Sequence, residues 1–205
     1  MRKLLIIGAG GHGAVLANIA DAMGVFTEIS FLDDGNVTQC LGYPVIGKAK
    51  GFDKYCNEYV FIVAIGNNAI REKICKEITR VGGTLATLIH PNAVIGKEVT
   101  IGAGSVVMAG AIIEPRTIIG EGCIINTAAS LNHDVLVEDY THIAVGVHVA
   151  GTVKIGAHSW LGIGATVKNN ITICSHVIIG AGCVVVKDIT KSGTYIGVPA
   201  KRCKA

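Results

Sequence analysis

Two short stretches hold residues able to do chemistry. The first is His133-Asp134, an imidazole followed at once by a carboxylate, with His142 a few residues on. A carboxylate beside a histidine can fix its tautomer and raise its basicity, which is the arrangement of a base and its orienter. The second is a short apolar run that ends in Gly8, Gly10 and Gly13 at G-x-G-x-x-G spacing. A glycine turn of this kind brings backbone N–H groups and a helix N-terminus against a phosphate. His12 lies in that loop, where it can touch a ligand or cap the turn. Asp33, about twenty residues beyond Gly13, has the place of a carboxylate that binds a ribose hydroxyl. The seven cysteines are odd in number, irregular in spacing and without a C-x-x-C pair, which fits reduced thiols better than a disulfide framework or a zinc site. No metal is expected.

These residues need elements to hold them. Up to about residue 90, short apolar runs alternate with helical patterns. Residues 4–7 read as a strand and 14–23 as a helix. "EISFLDD" reads as a strand with Asp33 and Asp34 at its C-terminal end, "YVFIVAIG" as another buried strand, and "NAIREKICKEITRVGG" as a helix closed by glycine. Strand and helix in alternation imply a parallel sheet with right-handed crossovers. Ligands of such sheets gather beyond the strand C-termini, here around Gly8, Asp33 and Gly66. Asn67, Asn68 and Arg71 follow the third strand; they can contact a sugar or phosphate, or act as a helix cap and a solvated arginine. A nicotinamide-binding domain normally needs two mononucleotide halves of the sheet, and this segment holds little more than one. A dehydrogenase is therefore disfavoured.

After His90-Pro91 the pattern changes. Stepping by six from Ile95 gives Ile101, Val107, Ile113, Ile119, Ile125, Leu131, Val137, Ile143, Val149, Ile155, Leu161, Val167, Ile173, Ile179 and Val185, every one a branched aliphatic residue. The fifth position of each hexad, from Val99 through Ser105, Ala111, Thr117 and Cys123 to Cys183, is small or aliphatic throughout, so a second inward position is implied. A six-residue period belongs to a parallel β-helix. Three hexads make one triangular coil, and residues 95 to about 190 wind about five coils, stacked at roughly 4.8 Å like neighbouring strands. Glycine often follows the aliphatic residue, as at Gly96, Gly102 and Gly156, where a corner leaves little room. Cys123 and Cys183 take inward positions and read as core, not as nucleophiles. His133 is third in its hexad and His142 sixth in its own, so both should face outward. Trp160 lies one full coil after His142 and should stack against it.

The uninterrupted hexads resemble the left-handed β-helix acyltransferases, which work as trimers with acetyl-CoA in grooves between prisms. With "GAGGHG" (8–13), "FLDD" (31–34), "AIGNNAIREKI" (64–74), "LIHPNAVI" (88–95), "NTAASLNHD" (126–134), "THIAVGVHVAGTVKIG" (141–156) and "GVPAK" (197–201), the whole chain resembles the nucleotide-sugar acetyltransferases of bacterial glycan synthesis. That family includes the UDP-4-amino-sugar N-acetyltransferases of the bacillosamine pathway and the sialic acid O-acetyltransferases. The resemblance implies a fold in two parts: a small Rossmann-like βαβ domain over residues 1–90, and a left-handed parallel β-helix with a C-terminal tail over 91–205. It implies His133 as general base with Asp134 beside it, His142 assisting near the thioester carbonyl, and Asn126 at the acceptor amine. Asp134 stands where the bacillosamine branch has Glu, one methylene longer. Gly10, Gly11, His12, Gly13, Asp33, Asp34, Gly66, Asn67, Asn68 and Arg71 are implied to seat the nucleotide-sugar. For acetyl-CoA the resemblance points to Gly146, Gly151, Trp160 and Gly164 along the prism, and to Gly197, Val198, Pro199, Ala200 and Lys201 at the adenine end. Gly197 and Pro199 can equally just terminate the coil. His90 reads as a hinge, and His148, His158 and His176 as surface or inter-subunit residues.

The bulk properties narrow the partners. The chain has 205 residues, 50% hydrophobic but only 5% aromatic and 16% charged, a small-aliphatic bias that suits thin repeated layers. A net charge of +3 with scattered lysines and arginines gives no polyanion-binding face, so nucleic acid is not an expected partner. No apolar stretch approaches 18 residues, and the N-terminal apolar run is too short for a signal peptide, so a cytoplasmic protein with no membrane contact is expected. The expectation is a homotrimer that acetylates the amine of a nucleotide-linked sugar, a UDP-4-amino-4,6-dideoxy sugar first of all, from acetyl-CoA. An O-acetyltransferase of sialic acid or a related sugar would use the same site with a hydroxyl acceptor. A non-catalytic scaffold or sugar-nucleotide sensor is the alternative of another class, and the base–acid pair argues against it.

Overall fold

A computed structural model describes residues 2–203, and the chain divides after Pro91 into two compact units. In the first unit, β1 (Arg2–Ile7) leads through the glycine loop into α1 (Gly11–Met23) and then β2 (Phe26–Leu32). A hairpin of β3 (Gln39–Cys40) and β4 (Tyr43–Gly47) follows, then a 3₁₀ helix over Ala49–Tyr55. β5 (Tyr59–Val63), α2 (Asn68–Arg80) and β6 (Thr84–Leu85) complete a sheet of order β3-β4-β2-β1-β5-β6. All neighbours run parallel except β3 and β4. Leu4, Leu5, Ile6 and Ile7 are all buried, as are the five residues of β5. Central parallel strands are covered on both faces and so read as unbroken apolar runs instead of alternating.

Helix α1 starts at Gly11, three residues before the apolar pattern begins, because the glycines themselves form its first turn. The β3–β4 hairpin and the 3₁₀ helix were not expected. The hairpin turns on Leu41 and Gly42, both at positive φ (49° and 81°), in the manner of a two-residue primed turn.

The second unit is a three-sided left-handed prism in which each residue pairs with the one eighteen further on: Ile112 with Ser130, Ile118 with Leu136, Ile124 with His142, His142 with Trp160. The aliphatic hexad positions are buried from Val107 to Val185, whereas Ile95 in the first coil is 38% exposed. The fifth-position hydroxyls are buried without penalty because each serves the next coil. Ser105 Oγ donates to the Gly120 carbonyl (2.8 Å) and accepts from the Cys123 N–H (2.8 Å), and Thr117 Oγ1 donates to the Asn132 carbonyl (2.8 Å). Corners are turned by a left-handed residue at the fourth hexad position, among them Arg116 (φ 60°), Asp134 (φ 58°) and Gly146 (φ 63°). Gly156 shows why glycine follows the aliphatic residue, since a Cβ there would lie 2.3 Å from the Ser175 nitrogen.

Candidate active site

The glycine loop is built by close approach. A Cβ on Gly13 would sit 2.0 Å from the Gly8 carbonyl oxygen, so only glycine lets α1 start this close to β1. No side chain caps α1, which leaves its first N–H groups directed beyond the strand ends. That also removes the turn-capping role for His12. Its Nε2 is buried with no hydrogen-bond partner, and burial, reinforced by the Arg71 charge, pushes its pKa down to about 4, so the ring is neutral at pH 7. Asp33 pins the loop: Oδ2 accepts from the Ala9 N–H (2.8 Å) and Oδ1 from the Gly35 N–H (2.7 Å). Asp34 accepts from the Ala49 N–H (3.0 Å).

Across the loop, Asn67 caps α2 by accepting from the Ile70 N–H (3.0 Å). Arg71 is not the solvated arginine that helix geometry alone allows; it is 1% exposed. Its guanidinium donates to the carbonyls of Ile65 (3.0 Å) and Gly66 (3.2 Å) and to Asn68 Oδ1 (2.9 Å), so it fastens the β5–α2 loop from within. Beyond the strand ends lies a cavity of about 260 Å³ lined by Gly8, Asp33, Asp34, Ile65 and Ile70 among others. A second, of about 280 Å³, shares Asp34, Ala49, Ile70 and Ile74 with it and adds Phe52, Lys50 and Lys73. Together they form a slot beyond the strand ends, the place where parallel α/β sheets hold their ligands.

On the prism, His133 and Asp134 occupy one corner. His133 Nδ1 lies 2.7 Å from Asp134 Oδ2, which places the imidazole proton on Nδ1 and the accepting lone pair on Nε2. Arg116, one coil earlier, grips the same carboxylate at two points: Nε to Oδ1 (2.7 Å) and Nη2 to Oδ2 (2.9 Å). Hydrogen bonds from Arg116 first, then from His133, hold the Asp134 carboxyl well below the usual carboxylate range. One coil later, Gly151 lies flat against the ring, where a Cβ would come 2.5 Å from His133 Nε2. Gly151 is thus the floor beneath the imidazole.

A second cluster lies elsewhere on the prism. Asn126 Oδ1 accepts from the Thr127 N–H (2.8 Å), which turns the amide so that Nδ2 faces His142 Nε2 at 3.2 Å. The accepting nitrogen of His142 is therefore engaged. Trp160 meets the His142 ring edge-on at 6.3 Å between centroids, one coil later as its spacing requires. The turn that carries His133 joins the strands Ser130–Leu131 and Leu136–Val137, which belong to two faces, while His142 starts a strand of the third. In a three-sided prism that corner is opposite that face. One chain does not bring His133 together with Asn126 and His142.

Gly146, Gly164 and Gly182 line another corner at eighteen-residue spacing, and a Cβ on any of them meets nothing within 4 Å. At the C-terminal end, Gly197 accepts from the Val184 N–H (3.2 Å), and the Ala200 N–H donates to the Val184 carbonyl (2.8 Å). Pro199, Ala200, Lys201 and Lys187 help to line a cavity of about 340 Å³ there. The exposed lysine at its rim suits the anionic end of a cofactor. Sequence reasoning missed three features of the site: Arg116, the packing of Gly151 on His133, and the inward course of Arg71. The first two lie one coil from residues already singled out.

A glycine-loop parallel sheet followed by a hexapeptide prism bearing outward histidines defines a two-domain acyltransferase. Residues 3–78 match the PglD N-terminal domain family, and residues 152–187 the bacterial transferase hexapeptide (six repeats) family. The chain is 42% identical to the acetyltransferase domain of PglB from Neisseria gonorrhoeae FA1090 in complex with acetyl coenzyme A, with a TM-score of 0.96 over 98% of this chain and 99% of that one. A variant of perosamine N-acetyltransferase from Caulobacter crescentus, in complex with CoA and GDP-perosamine, is 35% identical, with a TM-score of 0.95 over 100% and 98% of the two chains. UDP-N-acetylbacillosamine N-acetyltransferase from Bacillus subtilis (strain 168) is 33% identical over 115 residues, a match that spans about half of each chain (53% and 52%). The chain belongs to this family of acetyl-CoA-dependent hexapeptide-repeat sugar acetyltransferases. No helix among the described residues is long and apolar enough to cross a membrane.

Proposed function

We propose that this protein transfers the acetyl group of acetyl-CoA to the amine of a nucleotide-linked 4-amino-4,6-dideoxy sugar, with a UDP-sugar as the first candidate, in the bacterial cytoplasm. The nucleotide lies in the slot beside Asp34 and Ile70, with its diphosphate against the N–H groups of Gly10, Gly11 and His12. Gly66, Asn67 and Asn68 face it from the loop that Arg71 fastens. Pantetheine follows the corner at Gly146 and Gly164, and the adenine end reaches the tail of Gly197, Val198, Pro199, Ala200 and Lys201.

The observation that carries the reading is the division of the catalytic groups between a corner and the opposite face of one prism. His133 with Asp134 is a complete base–orienter pair, and Asn126 with His142 and Trp160 a complete polar wall. They complete each other only between two copies of the chain, which supports a homotrimer whose three sites lie between neighbouring prisms. His133 is the base of choice because Nε2 of His142 already accepts from Asn126. An amine acceptor is largely protonated at neutral pH, so it first releases one proton to solvent and reacts as the free amine, which must lose a second proton as it attacks. His133 Nε2 takes that proton while the nitrogen forms its bond to the thioester carbon, giving a tetrahedral oxyanion. Polar groups of the opposite wall steady this oxygen, with His142 in the assisting place. As the intermediate collapses the C–S bond breaks, and the imidazolium returns the proton to the CoA sulfur. The products are the N-acetyl sugar and CoA.

The test is to incubate the purified protein with acetyl-CoA and UDP-, GDP- and CMP-linked sugars, amino sugars included, and to follow CoA release with a thiol reagent. Release with a UDP-amino sugar that collapses in His133→Ala is the expected result. Release with a GDP-amino sugar alone corrects the nucleotide, release with hydroxyl sugars alone moves the chain to O-acetylation, and silence throughout refutes the enzyme reading.

A further inference from the structure

We propose that Arg116 is a positioning residue for the base: it fixes the plane of the Asp134 carboxylate, and through it the tautomer and orientation of His133. The proposal rests on His133 as base, but the contacts of Arg116 with Asp134 do not depend on that role. Arg116 and Asp134 are both left-handed corner residues, eighteen positions apart and directly stacked. The backbone holds them in register, since the Asp134 N–H donates to the carbonyl of Pro115 (3.1 Å), the residue just before Arg116.

Three donors engage one carboxylate. Nε of Arg116 takes Oδ1, while Nη2 and the His133 Nδ1–H share Oδ2. Turning the carboxylate about its Cβ–Cγ bond would break both guanidinium contacts at once. Aspartate is short, and His133 is more than half exposed, with a side-chain exposure of 54%. Left alone, this pair has little to hold it; the planar guanidinium supplies a rigid second anchor that a lysine ammonium cannot.

The charges of the clamp support one another: the hydrogen bonds and charge of Asp134 raise the Arg116 guanidinium further above its ordinary value, and Glu98 stands beyond it.

The experiment compares wild type with Arg116→Gln and Arg116→Lys. In Arg116→Gln, kcat falls about tenfold, in the range typical for residues that orient a functional ligand from behind. KM for both substrates stays near wild type. Arg116→Lys restores the charge but not the fork, so it does not recover the full rate. Nitrogen NMR of His133 reads the same clamp without turnover: the Nδ1–H tautomer dominates in wild type and mixes with the other in Arg116→Gln. A raised KM at unchanged kcat would make Arg116 a substrate contact and overturn the proposal, as would an unmoved tautomer. If the His133→Ala enzyme keeps its rate, the base assignment fails instead, and the NMR result still reports on the clamp.

Discussion

Gly151 offers a way to move the base without changing its chemistry. In Gly151→Ala the new methyl would lie 2.5 Å from His133 Nε2 and 2.6 Å from Cε1. Ordinary contact begins near 3.5 Å, so the ring must shift by about 1 Å. The shift costs little stability, because the side chain that yields is more than half exposed and the backbone of Gly151 is not left-handed. The midpoint of unfolding should therefore stay within about 0.5 kcal/mol of wild type. Catalysis is less forgiving: a 1 Å displacement of a reacting group costs about 100-fold, or roughly 2.7 kcal/mol in the barrier. The assay is initial CoA release at saturating substrates, with the melting curve run in parallel. A Gly151→Ala enzyme with wild-type kcat would refute the placement of His133 Nε2 at the reacting atoms. If kcat holds while KM for acetyl-CoA rises, Gly151 is a wall of the cofactor groove, as the family resemblance implies, and the imidazole is not poised above it.

Mixing is the sharpest test of sites shared between copies. His133→Ala and His142→Ala are each inactive alone, but co-expressed in equal amounts they should recover about a quarter of wild-type activity, because each interface needs one chain of each kind in the right order; no recovery places both histidines in one chain. His12 predicts an acid instability. Its folded pKa of about 4 lies below the ordinary 6.5, so between those values the unfolded chain binds the proton and the folded one does not, and stability falls as pH drops from 6.5 to 4, by up to about 3 kcal/mol. Denaturation of wild type and His12→Gln at pH 7 and pH 4.5 checks this, and equal losses in both would show that His12 is not the cause. Arg71→Met leaves the carbonyls of Ile65 and Gly66 without their donor and should cost about 3 kcal/mol, together with a raised KM for the nucleotide-sugar at little changed KM for acetyl-CoA. A variant that retains both stability and KM would contradict the role of Arg71 as the loop's fastener.

The prism could be read from the chain almost completely, because in a parallel β-helix the period of the sequence is the period of the structure. Ile113, Ile119 and Ile125 are inward for the same local reason, and the burial of Ser105 or Thr117 follows once the fifth position is known to face in. The hairpin of β3 and β4 was not legible. Its turn uses Leu41 where a primed turn prefers Asn or Gly, so nothing local announced it. Arg71 was equally hidden: its position at the start of α2 predicts exposure, and only the return of the chain through Ile65 and Gly66 provides the carbonyls that draw it inside.

The residues proposed for catalysis fall between these cases. Each of His133, Asp134, His142 and Asn126 was visible as a residue, yet what each touches was not, because a hexad register fixes only whether a side chain points in or out. A second register, at eighteen residues, fixes its neighbours. It sets Arg116 under Asp134, Gly151 over His133 and Trp160 over His142. The same step produces the column of Tyr140, His158 and His176, whose rings stack at 5.9 and 4.9 Å. In this architecture, then, a polar cluster can be sought by stepping one coil in each direction from any outward histidine, and a glycine found there is as informative as a charge. The limit is the face itself: stepping by coils never leaves one side of the prism, and so never leads from His133 to the cluster of Asn126 and His142.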